Sequence, residues 1–176
     1  MMPDVVEMMK DLGFTDMVAD DIAEVLEIES VSFSNPWRDQ DFHYALNRDG
    51  GVARICRVQD VVLGYAVGFR TGSEFHLADF AVRPECQRRG HGAALLQILI
   101  AETESTSEAI TLEVRRSNQA AVRMYTRAGF QTVAIRQDYY SHPREDALVM
   151  VKALSGKLSE WVARALSRAS GMGESH

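Results

Sequence analysis

The segment "PECQRRGHGAALLQ", residues 84–97, places two arginines and two glycines between an extended apolar stretch and a long apolar helix. A turn alone needs one glycine, whereas Gly90 and Gly92 together let another group approach the backbone closely. The N–H groups that open a helix lack intrahelical acceptors, and the helix dipole favours an anion there. The segment therefore predicts an anion site formed by consecutive N–H groups from Arg88 to Ala93, with added charge from the arginine side chains.

Two common phosphate-binding patterns do not fit this segment. The dinucleotide fingerprint needs a third glycine where Leu95 stands, and a P-loop needs Gly-Lys-Ser/Thr. What remains is a strand, a proline turn and Gln-x-x-Gly-x-Gly leading into a helix. The alternative interpretation is a glycine-rich turn with solvated arginines.

A carboxylate within an apolar strand is a candidate general base. Glu113 lies between Leu112 and Val114 in "AITLEV". A charged group between apolar strand residues is unusual and indicates a specific role. From periodicity alone, a glutamate at the sheet rim paired with Arg115 or another cation is the alternative.

A tyrosine lies on the apolar stripe of the clearest helix, "SNQAAVRMYTRAGF". Ser117 or Asn118 can cap this helix and Gly129 can end it. The ring of Tyr125 should be buried, and its hydroxyl is either a satisfied core group or a proton donor.

The remaining elements follow from periodicity and turn residues. Helices are predicted from Asp20 or Asp21 to about Ser30 and from a cap at Asp39, and Gln59 with Asp60 joins a hairpin. The predicted order is ααβββαβαββ, with a further strand near residues 14–18 as an option. This order indicates an α/β (α+β) fold with helices on both faces of a mixed sheet.

The 176 residues, 46% hydrophobic and 25% charged, fit one globular domain. We expect a domain at residues 14–153, an N-terminal extension at 1–13 and a C-terminal amphipathic helix or tail at 154–176. That tail could lie on a membrane or a partner, but docking on its own domain, or partial order, is the more common outcome.

The net charge of −6 argues against a broad nucleic-acid footprint. Two cysteines and an acidic N-terminal stretch favour the reducing cytoplasm over secretion. The five histidines are scattered, so no metal is expected, and the longest apolar run is too short for a membrane helix. We expect a cytoplasmic protein without metal, nucleic-acid or membrane partners, as a monomer or weak dimer.

"QRRGHG" resembles the pyrophosphate loop of the GNAT superfamily of N-acetyltransferases, Gln/Arg-x-x-Gly-x-Gly/Ala, and "N-x-A-A-x-x-x-Y-x-x-x-G-F" of its second block is complete. The resemblance runs from about residue 14 to residue 153. It implies the GNAT fold, a mostly antiparallel sheet of six to seven strands splayed between strands four and five, with acetyl-CoA as co-substrate. "SNPWRDQDF", "LEVRRSN" and "YYSHPREDALVM" are similar to the RimI-like branch, the ribosomal-protein-alanine N-acetyltransferases. That branch implies an N-terminal alanine of a small-subunit ribosomal protein as acceptor.

The resemblance also implies roles for individual residues. Glu113 would deprotonate the acceptor amine through water, and Tyr125 would protonate the CoA thiolate. Trp37, Tyr139 and Tyr140 would wall the acceptor groove. The residues implied to bind acetyl-CoA are Phe80, Ala81, Val82, Gln87, Arg88, Arg89, Gly90, His91, Gly92, Ala93 and Asn118.

The sequence departs from the family pattern at two positions of the loop, and some residue roles and the function have alternatives. His91 stands where the family usually has an aliphatic residue and Ala93 where it often has a basic one, but both contribute backbone N–H groups. Arg136, Glu145 and Asp146 either position the peptide or make surface pairs. The competing functions are a GNAT that acetylates a small-molecule amine and a non-catalytic acyl-CoA-binding module that regulates a partner.

Overall fold

The computed structural model describes residues 12–171, within which the chain forms seven strands and five helices. Short 3-10 turns precede the first and third helices. The strands are β1 Leu12–Asp16, β2 Gly51–Val58, β3 Val61–Thr71, β4 Glu74–Val82, β5 Ala109–Arg115, β6 Gln131–Ser141 and β7 Arg144–Ala153. The helices are α1 Ile22–Ser32, α2 Asp39–Asn47, α3 His91–Thr103, α4 Gln119–Arg127 and α5 Leu158–Gly171.

One sheet contains all seven strands, in the order β1-β2-β3-β4-β5-β7-β6. Every neighbouring pair is antiparallel except β4 and β5. These two strands pair only where Glu74–His76 lies beside Ala109–Thr111, and their remaining residues do not pair with each other. The mixed sheet and its opening between strands four and five are therefore as predicted.

A β-bulge in β4 changes which face of the sheet its side chains occupy. Val67 of β3 pairs with Asp79 and Gly68 pairs with Leu77, which leaves Ala78 as an extra residue on β4. Before the bulge, Leu77 packs into the core cluster under α3, whereas Ala81 packs into the cluster under α1 and α2. Asp79 consequently points towards α1.

Helices cover both faces of the sheet, as predicted. On one face α3 and α4 enclose a core that includes Phe75, Leu99 and Phe130. On the other face α1 and α2 enclose a second core around Phe42 and Tyr65. Burial of these large apolar side chains is the main stabilising contribution to such a layered arrangement.

The C-terminal helix docks on the domain. Trp161 of α5 is 7% exposed and packs with Ala109 of β5 and Val151 of β7. Of the two interpretations of the tail, docking is the one observed, and the predicted boundary at residue 154 does not separate an independent segment.

Several predicted boundaries shift. β1 begins at Leu12, inside the segment expected as an extension, and residues 1–11 of that segment lie outside the described residues. The expected cap at Asp39 is wrong, because α2 starts at Asp39 and the Asp41 carboxylate accepts a hydrogen bond from Arg38 N, 2.8 Å away. An acidic side chain two positions inside the helix thus satisfies a backbone donor just before it.

Candidate active site

Glu113 lies at the opening between β4 and β5. Leu112 and Val114 point into the core under α3, so the alternation of β5 places Glu113 on the opposite face. Its side chain is 11% exposed, with Oε2 3.2 Å from His76 Nε2 and Oε1 3.4 Å from Arg136 Nη2. The carboxylate is thus partnered, but not by Arg115, the cation named from the sequence.

His76 is a site residue that sequence reasoning missed. It lies opposite Thr111 in the short parallel pairing of β4 with β5, and its Nδ1 is 3.2 Å from Thr111 Oγ1. Its imidazole is 40% exposed, so it connects Glu113 with solvent. Alternation in "FHLADF" predicts that His76 lies on the other face of the sheet from Phe75 and Leu77. Only the register between β4 and β5, which are distant in sequence, brings His76 to Glu113.

Arg115 joins the α1–α2 connection to the β6–β7 turn. Its guanidinium lies over the Tyr140 ring, 4.1 Å from the centroid. Its hydrogen-bond acceptors are Ser34 Oγ (3.1 Å), Pro143 O (3.0 Å), His142 O (3.2 Å) and Glu145 Oε2 (3.3 Å). Hydrogen bonds from Ser117 and the Arg115 guanidinium hold the pKa of Glu145 below its ordinary value.

Aromatic side chains lie on either side of Arg115. Trp37 packs on Phe42 and Phe69, with ring centroids 5.3 and 6.5 Å apart, and Tyr139 contacts Tyr140 edge to face at 5.1 Å. Burial raises the pKa of Tyr140 to about 12, with a further contribution from Tyr139. The resemblance implied these three residues as walls of the acceptor groove, and of the three Trp37 lines the groove described next.

An open groove of about 460 Å³ runs beside Trp37. Phe69 lies at its base, with the Arg48 guanidinium 4.6 Å from the ring centroid. Phe69 is also the strand partner of His76, so the groove begins next to the Glu113 contact. The lining residues are Asn35, Pro36, Trp37, Arg38, Asp41, Tyr44, Arg48 and Phe69.

Of the three other residues considered for peptide positioning, Arg136 is the one that contacts Glu113. Glu145 instead pairs with Arg115 and accepts a hydrogen bond from Ser117 N. Asp146 accepts a hydrogen bond from Asp138 N at 3.0 Å. Their contacts therefore organise the hairpin and its neighbours.

Tyr125 lies on the other face from Glu113. It is 6% exposed, and its ring is 6.2 Å from Phe80 and 5.6 Å from Phe130, centroid to centroid. Burial raises its pKa well above the ordinary value, and Asp79 and Tyr140 add to that shift. The phenol therefore keeps its proton at neutral pH, as a proton donor must.

The glycine segment has the backbone geometry of an anion site. The first intrahelical hydrogen bond of α3 runs from Ala94 N to Gly90 O, so the N–H groups of His91, Gly92 and Ala93 precede the helical ladder. Gly90 has φ 87°, and a Cβ there would meet no atom within 4 Å. Arg88 also has positive φ, at 60°. The turn thus exposes the start of α3 to a ligand.

Gly92 serves a different purpose from the one its spacing indicated. A Cβ at Gly92 would lie 3.2 Å from both Met124 Sδ and Val82 Cγ2. Gly92 therefore lets α3 approach β4 and α4 closely. The physical reason is that the residue faces the core, which its place in a surface motif does not reveal.

His91 is buried at 3% exposure, and neither ring nitrogen has a hydrogen-bond partner among the described residues. Burial and, to a smaller extent, Arg89 lower its pKa. The imidazole thus occupies a core position as a neutral group, consistent with the aliphatic residue usual there.

The other residues predicted to bind acetyl-CoA surround the sheet opening. Gln87 Nε2 donates to Val82 O at 3.0 Å, which ties the glycine segment to the end of β4. Phe80, Ala81 and Val82 have no β5 partner, so that edge of β4 faces the opening. Asn118 Oδ1 accepts from Ala121 N at 3.2 Å, which is the helix cap that the sequence also allowed.

Neither a metal-binding cluster nor a membrane-spanning helix is present in the described part of the chain. Across residues 12–171, no three or more His, Cys, Asp or Glu side chains are grouped so that they could hold a metal ion. None of the helices described is both long and apolar enough to cross a membrane.

Comparisons with known proteins agree with this geometry. Residues 22–130 match the model of the acetyltransferase (GNAT) family. The chain is 33% identical over 147 residues to the [ribosomal protein bS18]-alanine N-acetyltransferase of Escherichia coli K12. The alignment covers 77% of this chain and 93% of the relative. The resemblance to the RimI-like branch is therefore confirmed.

Solved structures of relatives have the same fold. The crystal structure of the ribosomal-protein-S18-alanine N-acetyltransferase from Escherichia coli has a TM-score of 0.76 and 30% identity, covering 83% of this chain and 96% of that chain. The structure of Ard1 from Thermoplasma volcanium has a TM-score of 0.74 and 25% identity, covering 83% and 99%. The named enzymes among these relatives argue against a non-catalytic module. The chain belongs to the GNAT family and is an acetyl-CoA-dependent N-acetyltransferase.

Proposed function

We propose that the protein acetylates the N-terminal α-amino group of another protein, an N-terminal alanine of a small-subunit ribosomal protein, with Glu113 as general base and Tyr125 as general acid. The observation that carries this proposal is the position of Glu113. It is a nearly buried carboxylate at the sheet opening, contacted by His76 and Arg136 and near an open groove lined by Trp37. The names of the relatives supply the acceptor class.

The residues at the opening fit acetyl-CoA. The N–H groups at the start of α3, with the open space above Gly90, suit a pyrophosphate, and the unpaired edge of Phe80–Val82 suits an extended arm. Bound acetyl-CoA supplies the acetyl thioester. The loop residues Gln87, Arg88 and Arg89 orient that ligand, and Asn118 lies at the start of α4 beside it.

Two proton transfers fall to this chain. A protein α-amine has a pKa of roughly 7.7–8.0 and is mostly an ammonium at neutral pH, so a base must remove a proton before it can attack. Glu113 takes that proton, through water, and His76 gives it a route to solvent. Tyr125 Oη donates a proton to the departing sulfur, which the burial of the phenol favours by keeping it protonated.

The aromatic groove supports a polypeptide acceptor over a small amine. Trp37, Phe69 and Arg48 line it, and Phe69 pairs with His76, the residue that contacts Glu113. Tyr139 is 48% exposed, and the guanidinium of Arg136, which contacts Glu113, lies 5.6 Å from its ring centroid. Such walls can contact the residues that follow the N-terminal one.

The test is a mass-spectrometric screen of short peptides and small amines with acetyl-CoA. We expect acetylation of the α-amine of alanine-initiated peptides, and none of the same peptides with blocked N-termini that retain a lysine. Preferential acetylation of polyamines or aminoglycosides would overturn the acceptor assignment. A Glu113→Gln variant, which is close in shape, serves as the control for background transfer.

A further inference from the structure

Three polar side chains meet in the core beneath the α1–α2 connection. Glu29 of α1 is 1% exposed, Tyr65 of β3 is fully buried, and Asp79 of β4 is 6% exposed. Tyr65 Oη donates a hydrogen bond to Glu29 Oε2. Asp79 is the third member of the cluster: it follows the bulge in β4 that turns its side chain towards α1, and its carboxyl is close enough to Glu29 and Tyr65 to affect the pKa of both Asp79 and Tyr65.

One oxygen of this cluster is not satisfied by the donors around it. Asp79 Oδ2 is buried and receives no hydrogen bond from any described residue. Two carboxylates that touch in the core cannot both be ionised at tolerable cost, because burial and mutual repulsion both disfavour the second charge. A proton held by Asp79 would remove this repulsion and give its carboxyl a hydrogen to donate.

The cluster lies between two parts of the candidate site. Glu29 Oε1 accepts a hydrogen bond from Trp37 N at 2.7 Å, in the connection that forms a groove wall. Asp79 directly follows the β4 bulge and precedes Phe80, the first residue of the edge facing the sheet opening. Glu29 is therefore tied to the wall of the groove at Trp37, and Asp79 adjoins the β4 edge at the sheet opening.

We propose that Asp79 and Glu29 share one proton and act as positioning residues, which hold the Trp37 wall of the acceptor groove in register with the β4 edge. This inference rests on the proposed function in one respect only: it takes the groove beside Trp37 as the binding site of the acceptor peptide. The groups that face the pair are Tyr65 from β3, Trp37 N from the α1–α2 connection, Phe80 N from β4 and, at longer range, Tyr125 from α4.

The charges around the pair agree with a retained proton. Burial, then the neighbouring Glu29 carboxyl, raises the pKa of Asp79 well above its ordinary value. Burial likewise raises the pKa of Glu29, against hydrogen bonds from Tyr65 and Trp37 that lower it. Folding then takes up a proton at every pH above the ordinary aspartate pKa and below the raised one.

The first experiment measures that proton without any substrate. Urea unfolding of the wild type and of Asp79→Asn is followed from pH 5 to 9. Because asparagine donates without titrating, we expect the wild-type folding constant to fall relative to the variant as the pH rises, by up to about tenfold per pH unit between the ordinary and the raised aspartate pKa. The matched control is Asp60→Asn, at an exposed residue of the β2–β3 turn. The ratio of its folding constant to that of the wild type should not change with pH. If the free energies of unfolding of the wild type and Asp79→Asn changed in parallel with pH, the shared proton would be ruled out.

The second experiment tests positioning. Glu29→Met removes the acceptor of Trp37 N, so we expect the KM of an acceptor peptide to rise on the order of tenfold, with calorimetric CoA affinity retained. Glu29→Gln keeps an acceptor and should restore KM. An Asp79→Asn enzyme with lower kcat and unchanged KM would instead assign Asp79 to the reacting atoms and overturn the positioning role.

A spectroscopic readout separates this inference from the acetylation assignment. The chain has two tryptophans, so Trp161→Phe leaves Trp37 as the only one. In that background Glu29→Met should shift the Trp37 emission and increase its quenching by acrylamide, whereas Glu29→Gln should not. Unchanged Trp37 fluorescence in all variants would overturn the link even if acetylation proceeds as proposed.

Discussion

Glu113 and Tyr125 lie on opposite faces of the sheet, although both are near the opening between β4 and β5. Tyr125 belongs to the core under α3 and α4, while Glu113 faces His76 on the side of α1 and α2. The two proton transfers of the proposed reaction therefore use separate groups in different surroundings. Their loss should have different consequences.

The pH dependence of activity distinguishes the two residues. With Glu113→Gln the ammonium loses its proton only to bulk water, so kcat/KM should fall by on the order of 10²–10⁴-fold near neutral pH and partly recover above the amine pKa. With Tyr125→Phe the loss should persist at high pH, because the leaving thiolate still lacks a donor. The measurement is kcat/KM of an alanine-initiated peptide from about pH 6 to 10. Wild-type rates in Glu113→Gln throughout that range would remove Glu113 as the base.

His91 should limit stability in acid. Its two buried nitrogens lack partners, so His91→Leu should raise the free energy of unfolding by about 1–3 kcal/mol. Burial lowers the pKa of His91, so the wild type loses stability as the pH falls below the ordinary histidine value, and the leucine variant does not. Urea unfolding at pH 5.5 and pH 8 checks this, and the gain should be larger at pH 5.5. A variant less stable than the wild type at both values would contradict it.

At the scale of elements, the start of α3 performs two tasks through two glycines. Gly90 provides a left-handed turn beside open space, whereas Gly92 allows α3 to contact β4 and α4. The anion site and the packing of the helix are therefore independent properties of one short segment. Substitutions at the two positions should differ in what they disturb.

Gly90→Val should weaken CoA binding, because the positive φ strains a β-branched residue and its side chain would enter the space above the helix start. Gly92→Ala should instead lower stability, because its Cβ would press on Met124 and Val82. Adding Met124→Ala to Gly92→Ala should recover part of that loss. Calorimetric CoA titration and urea unfolding measure both quantities. Wild-type CoA affinity in a folded Gly90→Val protein would refute the anion site.

At the scale of the whole molecule, the C-terminal helix supports the strand that carries Glu113. Trp161 covers Ala109 at the start of β5 and Val151 of β7, while Leu154 N donates to Glu108 O before the helix begins. No residue assigned to the chemistry lies beyond Asp146. The helix should therefore contribute stability more than catalysis.

Ending the chain after Ser155 should lower the free energy of unfolding while leaving kcat near the wild-type value at temperatures where the protein is folded. Trp161→Ala should cost about 3 kcal/mol, because a buried indole is removed from a docked helix. Thermal unfolding and peptide acetylation at low temperature measure the two effects. A folded truncation that binds CoA but shows no turnover would mean that α5 completes the site.

Much of the fold and part of the site could be predicted from local sequence patterns. The hairpin turn at Gln59 and Asp60, the cap at Asn118 and the helix start after Gly90 depend on residues close in the chain, whose backbone hydrogen bonds are local. The family motifs added the proposed acetyl-CoA loop and the proposed roles of Glu113 and Tyr125. Boundaries were less accurate, because capping can come from a residue inside the helix, as at Asp41.

The partners of the catalytic candidates were decided by tertiary structure. His76 reaches Glu113 only through the parallel register of β4 with β5, and Arg136 reaches it from a strand beyond β7. The contact of Asp79 with Glu29 requires the bulge at Ala78, which reverses the side-chain alternation of β4. The sequence by itself therefore determined most of the elements and the class of chemistry. Strand register, which depends on the packing of the whole sheet, determined which side chains meet.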